Sequence, residues 1–176
     1  MEYIGEHAWA GQLGRFFVNL TFTASLVAVF AYYFFYKKQD TSYKKVARGS
    51  FWIHAIATFG IVGTLFAMML NHYFEYDYVW KHSSLDLPVR YIFSAFWEGQ
   101  EGSFILWLFW HAVLGMILMY TAKKWEGPVM MIFASVQAFL ASMIILNVMG
   151  FTLNIVVLFS LILSLGLLVD NAIVIV

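Results

Sequence analysis

Apolar residues in this chain come in long unbroken runs, and the polar residues are gathered between them. The first run, Phe16–Tyr36, is roughly 20 residues, enough to cross a ~30 Å hydrocarbon core. The runs that follow are Phe51–Phe74, Ser103–Thr121 and Pro128–Met149. Gly150 breaks the fourth, and a fifth extends from Leu153 to Val176. In lipid each backbone polar group must find its partner within the span, so these runs predict α-helices. Pro128 falls in a first helical turn, where a missing N–H is tolerated. The stretch Val89–Gln100 is too polar to span, yet Ile92, Phe93, Phe96 and Trp97 recur at helical spacing. It reads as an amphipathic helix on the membrane surface, with Gly99 and Gly102 letting the chain turn into the third span. The expected fold is an all-α membrane protein of about five transmembrane helices with one amphipathic surface helix on the outer face.

Charge sets the orientation. The first loop holds Lys37, Lys38, Lys44, Lys45 and Arg48, and the third holds Lys123 and Lys124. The second mixes Lys81 and Arg90 with Glu75, Asp77 and Asp86. Basic loops stay on the cytoplasmic side. The N-terminus, the 75–102 segment and the turn at Gly150 are therefore expected to face outward. Tyr32, Tyr33 and Tyr36 read as an aromatic belt, and the seven Trp mostly as interfacial anchors.

Composition narrows the function. Apolar residues make up 62% and charged residues 11%, against about 25% charged in soluble domains. A net charge of zero gives no argument for nucleic acid. The absence of Cys excludes disulfides, Cys-ligated zinc, iron–sulfur clusters and thiol catalysis. The opening MEYIGEHAWAGQLGR lacks the pattern of a cleavable signal peptide, so the first span is expected to remain as an anchor. The sequence ends within an apolar run, which reads as a fragment.

Five histidines are spread along the chain: His7, His54, His72, His82 and His111. His111 lies mid-span, with Trp107 four residues earlier on the same face. An ionisable residue there is a functional candidate; the plainer reading is a neutral imidazole bonded to a neighbouring helix. His54 lies roughly 10 Å from the depth of His111, so the two are poor partners as axial ligands of one haem. His72 and His82 both face outward, as a shared surface site or as separate loop residues. Glu98 and Glu101 are either a substrate- or partner-facing edge or, for Glu101, a charge suited to a helix N-terminus. Asp170 is a carboxylate deep in an apolar run with no Lys in any expected span to pair it, a proton-relay candidate. No catalytic dyad or metal-ligand spacing is present, so no catalytic residue or metal is assigned.

One run combines His82, Ser83 and Ser84 with Leu87 and Pro88, then Trp97, Gly99, Glu101, Gly102 and Ser103 leading to Leu106 and Trp107. It resembles the early part of the CcmF-type cytochrome c maturation proteins, which are haem lyase components. The opening EYIGEHAWAGQLGRFFV resembles the start of the same family. The resemblance covers about residues 1–143. It implies a multi-pass bacterial inner-membrane protein that handles haem and attaches it to apocytochrome c on the outer face. Haem would be its cofactor, and other maturation subunits its partners besides membrane lipid. The family's tryptophan-rich haem segment and later haem-ligating histidines are absent. The chain alone is therefore expected to be inactive, and none of its histidines carries over as a ligand.

The tail, residues 144–176, contains NVMGFTLNIVVLFSLILSLGLLVDNAIVIV, and this stretch resembles the fourth membrane helix of resistance–nodulation–division efflux pumps. Asp170 matches the first acidic relay position there, and Asn171 stands where many members have a second Asp. A chimera with its changeover around Ala141–Ile145 is expected, the alternative being a natural CcmF variant with a coincidental tail. Two rival readings are a fragment of a proton-coupled efflux transporter and a non-catalytic fragment that docks to other membrane subunits.

Overall fold

A computed structural model describes residues 6–150, together with Val156, Phe159, Ser160 and Leu163. Asp170, Asn171 and most of the expected fifth span lie outside the described residues. The helices are α1 (Ala8–Lys38), α2 (Thr41–Leu70), α3 (Asp77–His82), α4 (Val89–Glu98), α5 (Gln100–Thr121) and α6 (Glu126–Val148). A 3-10 turn, Lys123–Trp125, joins α5 to α6. Among the described residues there is no strand. Four helical stretches are long and apolar enough to cross a membrane: Ala8–Lys38, Thr41–Leu70, Glu101–Thr121 and Lys123–Met143. The protein is thus an all-α membrane protein. The expected changeover at Ala141–Ile145 falls inside α6, which is unbroken to Val148.

Two helices are longer than the apolar runs. α1 starts at Ala8 instead of Phe16, and α2 starts at Thr41 instead of Phe51. In α2 the added turns hold Lys44, Lys45 and Arg48, good helix formers whose stems lie along apolar surface while their heads reach water; the start of α1 is tied down by Tyr76 through His7 and Gly11. Hydropathy marks the lipid-crossing part, and the helix continues past it. The expected first loop shrinks to Gln39 and Asp40. Gln39 takes a left-handed conformation (φ 54°) and donates its N–H to the Phe35 carbonyl at 2.8 Å. Asp40 caps α2 by accepting from the Ser42 N–H at 2.8 Å, and that bond holds its carboxyl below the ordinary range.

The short turn makes α1 and α2 antiparallel. α1 packs on α2 and α6, and α5 packs against both α2 and α6. The inward stripe of α1 is Val18, Thr21, Ser25, Ala28 and Tyr32, alternating three and four residues apart. α2 answers with Ala47, Phe51, His54, Thr58 and Ile61. Small residues let helix backbones approach, which drives association where lipid is as apolar as the core. Large apolar side chains such as Phe30, Ile56 and Trp107 turn outward. Tyr32 departs from the expected belt: it is fully buried because it continues the α1 stripe, while Tyr33 and Tyr36 are exposed.

Polar contacts tie the two ends. At the basic end, Glu126 opens α6 and is 1% exposed. It accepts from Lys44 Nζ at 2.8 Å, Arg48 Nε at 2.7 Å and Arg48 Nη2 at 2.8 Å. Arg48 also donates to the Met119 carbonyl at 3.3 Å, so α2, α5 and α6 are joined there. At the other end, Glu75 Oε1 accepts from His7 N at 3.0 Å and lies 2.9 Å from His7 Nδ1. Tyr76 donates its hydroxyl to the His7 carbonyl at 2.8 Å and accepts from Gly11 N at 2.8 Å. The His7 ring stacks on Tyr73 at 3.9 Å.

This clamp has a pH signature. Burial works to raise the Glu75 carboxyl, but the bonds from His7 outweigh it and hold it below its ordinary value. A depressed folded value means a stabilising contribution that is complete above the unfolded value of 4.5 and lost as pH falls below it. Amide protection at residues 9–12, corrected for intrinsic exchange, is expected to fall below that pH. Glu75→Gln should abolish the step; an unchanged step in the variant would refute the assignment.

Candidate functional site

The family-like residues gather where α3, α4 and the head of α5 meet. α3 is short and places Tyr78 and His82 on one face, four residues apart, with ring centroids 4.5 Å apart. The Tyr78 hydroxyl donates to the Phe96 carbonyl at 2.7 Å. Gly99 and Gly102 both abut its oxygen, which a Cβ on either glycine would crowd. Burial raises the Tyr78 phenol above its ordinary range, with the charges of Glu101 and Glu98 adding to the effect. It therefore stays protonated and serves as a donor at neutral pH.

The two glycines permit this packing by close approach. A Cβ on Gly99 would come within 2.7 Å of both His82 Nε2 and Tyr78 Cε2. A Cβ on Gly102 would overlap the Phe96 carbonyl oxygen. Gly99 is extended (φ −75°, ψ 159°), so α4 and α5 are separated by a single residue. The corner is closed by Ser103, whose hydroxyl donates to the Trp97 carbonyl at 2.9 Å and whose N–H donates to the Gly99 carbonyl at 3.1 Å.

α4 is amphipathic as expected, but only part of its apolar stripe faces away from the bundle. Ile92, Ala95 and Phe96 are buried, and Phe96 stacks on Phe66 of α2 at 4.3 Å. Phe93 and Trp97 are 56% and 45% exposed. The stripe is wide enough to serve both the bundle and the outside. Beside it runs a groove of about 440 Å³, lined by His82, Leu87, Tyr91, Ser94, Ala95, Trp97 and Glu98.

The remaining expected residues are distributed as follows. Ser83 donates its hydroxyl to the Val79 carbonyl at 2.7 Å, Pro88 precedes α4, and Ser84 is exposed. Glu101 sits exposed in the first turn of α5, where its charge suits the helix dipole. Trp107 is exposed. His72 and His82 have different partners: His72 Nδ1 donates to the Met69 carbonyl at 3.1 Å, whereas His82 packs on Tyr78. Among the described residues no three His, Asp or Glu side chains converge as a metal site.

His111 bonds within its own helix, Nδ1 to the Trp107 carbonyl at 3.0 Å, with its ring against Phe133. The bond between helices belongs to His54 instead. Its Nδ1 lies 3.1 Å from the Thr21 carbonyl of α1, and its Nε2 lies 2.7 Å from Gln137 Oε1 of α6. His54 and Gln137 are fully buried. Sequence reasoning passed over Tyr78 and Gln137. The available signals were a Tyr one turn before His82 and a lone amide in an apolar span.

A haem axial ligand needs an imidazole nitrogen open to a flat slot. His82 Nε2 lies against Gly99, and its Nδ1 faces Glu98 at 3.9 Å, too long for a hydrogen bond. Both ring nitrogens of His54 are engaged. The buried His54 therefore does not fit haem ligation, and His82 keeps its Nε2 against Gly99.

No protein-family model matches the sequence. Comparison with curated proteins finds no match. Among solved structures, "Cytochrome c Heme Lyase CcmF" superposes with a TM-score of 0.71 at 19% identity, over 81% of this chain and 24% of that one. The chain thus spans about a quarter of the length of that protein. The helical bundle described here has a CcmF-like fold.

Proposed function

We propose that this chain is a membrane portion of a CcmF-type cytochrome c biogenesis protein of the bacterial inner membrane. Its role is to hold the outer-face segment in place for haem handling and attachment to apocytochrome c. One observation supports the reading: His82, Gly99 and Gly102, picked out by sequence resemblance, pack against Tyr78 at one end of a CcmF-like fold, and Ser103 closes the same corner through Trp97 and Gly99. The basic end, with Lys44 and Arg48, would face the cytoplasm and the Tyr78 corner the outside. The haem ligands would come from elsewhere in the complete protein, and the exposed rim around Trp97 would meet other maturation subunits or apocytochrome c.

The purified chain in detergent is expected to show no stoichiometric haem absorbance and to co-purify with cytochrome c maturation subunits. Trp97→Ala should weaken that co-purification. A Soret band that His82→Ala abolishes, or a failure to co-purify at all, would overturn the reading.

A further inference from the structure

At the basic end, a recess of about 290 Å³ opens between the end of α1 and the start of α6. Tyr36, Gln39, Lys124, Trp125, Gly127 and Pro128 are among the residues that line it. Tyr36 and Trp125 are 51% and 60% exposed, the placement of aromatic rings at a membrane–water boundary. Charge here is one-sided. Among the described residues, seven Lys and Arg lie at this end against two carboxylates, Asp40 and Glu126.

Both carboxylates are occupied. Lys44 and Arg48 hold Glu126, and the Ser42 N–H holds Asp40. Lys38 donates to the Tyr43 hydroxyl, and Lys37 sits over the Tyr33 ring. Lys124, on the wall of the recess, makes no ion pair among the described residues. The recess therefore combines a cation with no counter-charge among the described residues, an interfacial aromatic rim and an apolar floor between two membrane-crossing helices.

We propose that this recess binds the headgroup of an anionic phospholipid. The phosphate lies beside Lys124, the glycerol region lies under Trp125 and Tyr36, and the acyl chains follow the apolar wall at Pro128. Basic pockets between membrane helices recognise such headgroups electrostatically. A soluble phosphate would satisfy Lys124 but leave the apolar wall uncovered, so the lipid is the better match. The site stands on membrane insertion and geometry alone, independent of any role in cytochrome c biogenesis.

The test is native mass spectrometry of the chain released from vesicles of equal phosphatidylglycerol and phosphatidylcholine. Phosphatidylglycerol is expected to stay bound preferentially. Lys124→Gln should lower that preference roughly fivefold, the worth of one Lys at a charged membrane surface. Lys45→Gln removes the same charge from an exposed position on α2 outside the recess and should leave the preference unchanged. Thermal melting of both variants at the wild-type temperature would show that folding is intact, as expected for exposed side chains. Equal retention of the two lipids would overturn the proposal. So would equal loss in both variants, which indicates a diffuse field, or displacement of the lipid by inorganic phosphate, which indicates a simple ion site.

Discussion

Gly102→Ala is expected to detach α4 from the head of α5. The added methyl would overlap the Phe96 carbonyl oxygen and the Tyr78 hydroxyl. The first of these is backbone, so no side-chain rotation relieves the overlap. Overpacking alone costs about 1–3 kcal/mol. The shift also breaks the part-buried bond from Tyr78 to Phe96, which adds about 1 kcal/mol. The α1–α2 and α1–α6 interfaces are formed elsewhere and should persist. Amide exchange over residues 77–103 should accelerate by about tenfold or more, while α1 and α2 keep their protection. Native protection across 77–103 in the variant would show that the corner yields without strain.

The second large effect concerns His54 and Gln137, which join three helices inside the bundle. The Thr21 carbonyl only accepts, so His54 Nδ1 carries a proton. With Gln137 Oε1 facing it, Nε2 would carry one as well and the ring would be an unpaired cation in the membrane. A half-turn of the Gln137 amide presents an N–H donor instead and leaves the ring neutral. The neutral arrangement is favoured because an unpaired intramembrane charge is expensive. Replacing either residue by Leu orphans the other. His54→Leu or Gln137→Leu is expected to cost about 1–2 kcal/mol. The double variant should cost less than the two added together, with a coupling of about 0.5 kcal/mol or more. Denaturation in mixed micelles of the four proteins measures this; strict additivity would refute the pairing.

The physical origin of each feature decides how far it was legible. The apolar runs of the first four spans, the turn at Gly99 and the amphipathic α4 follow from local rules, because lipid demands internal backbone bonding and because the apolar spacing of α4 is plain. The sequence by itself therefore determined the all-α membrane class and the resemblance now matched by the fold. The helix starts at Ala8 and Thr41 were not legible, since hydropathy reports contact with lipid and not helical geometry. Only the tertiary structure decided which polar residues find partners. Glu126 sits 78 positions from Arg48, and Gln137 sits 83 from His54. Tyr32 lies in the core rather than at the boundary because the stripe of α1 turns it toward its neighbours. Such pairings depend on how four helices rotate about their axes, which is settled by small residues packing against one another across helices and not by any one segment.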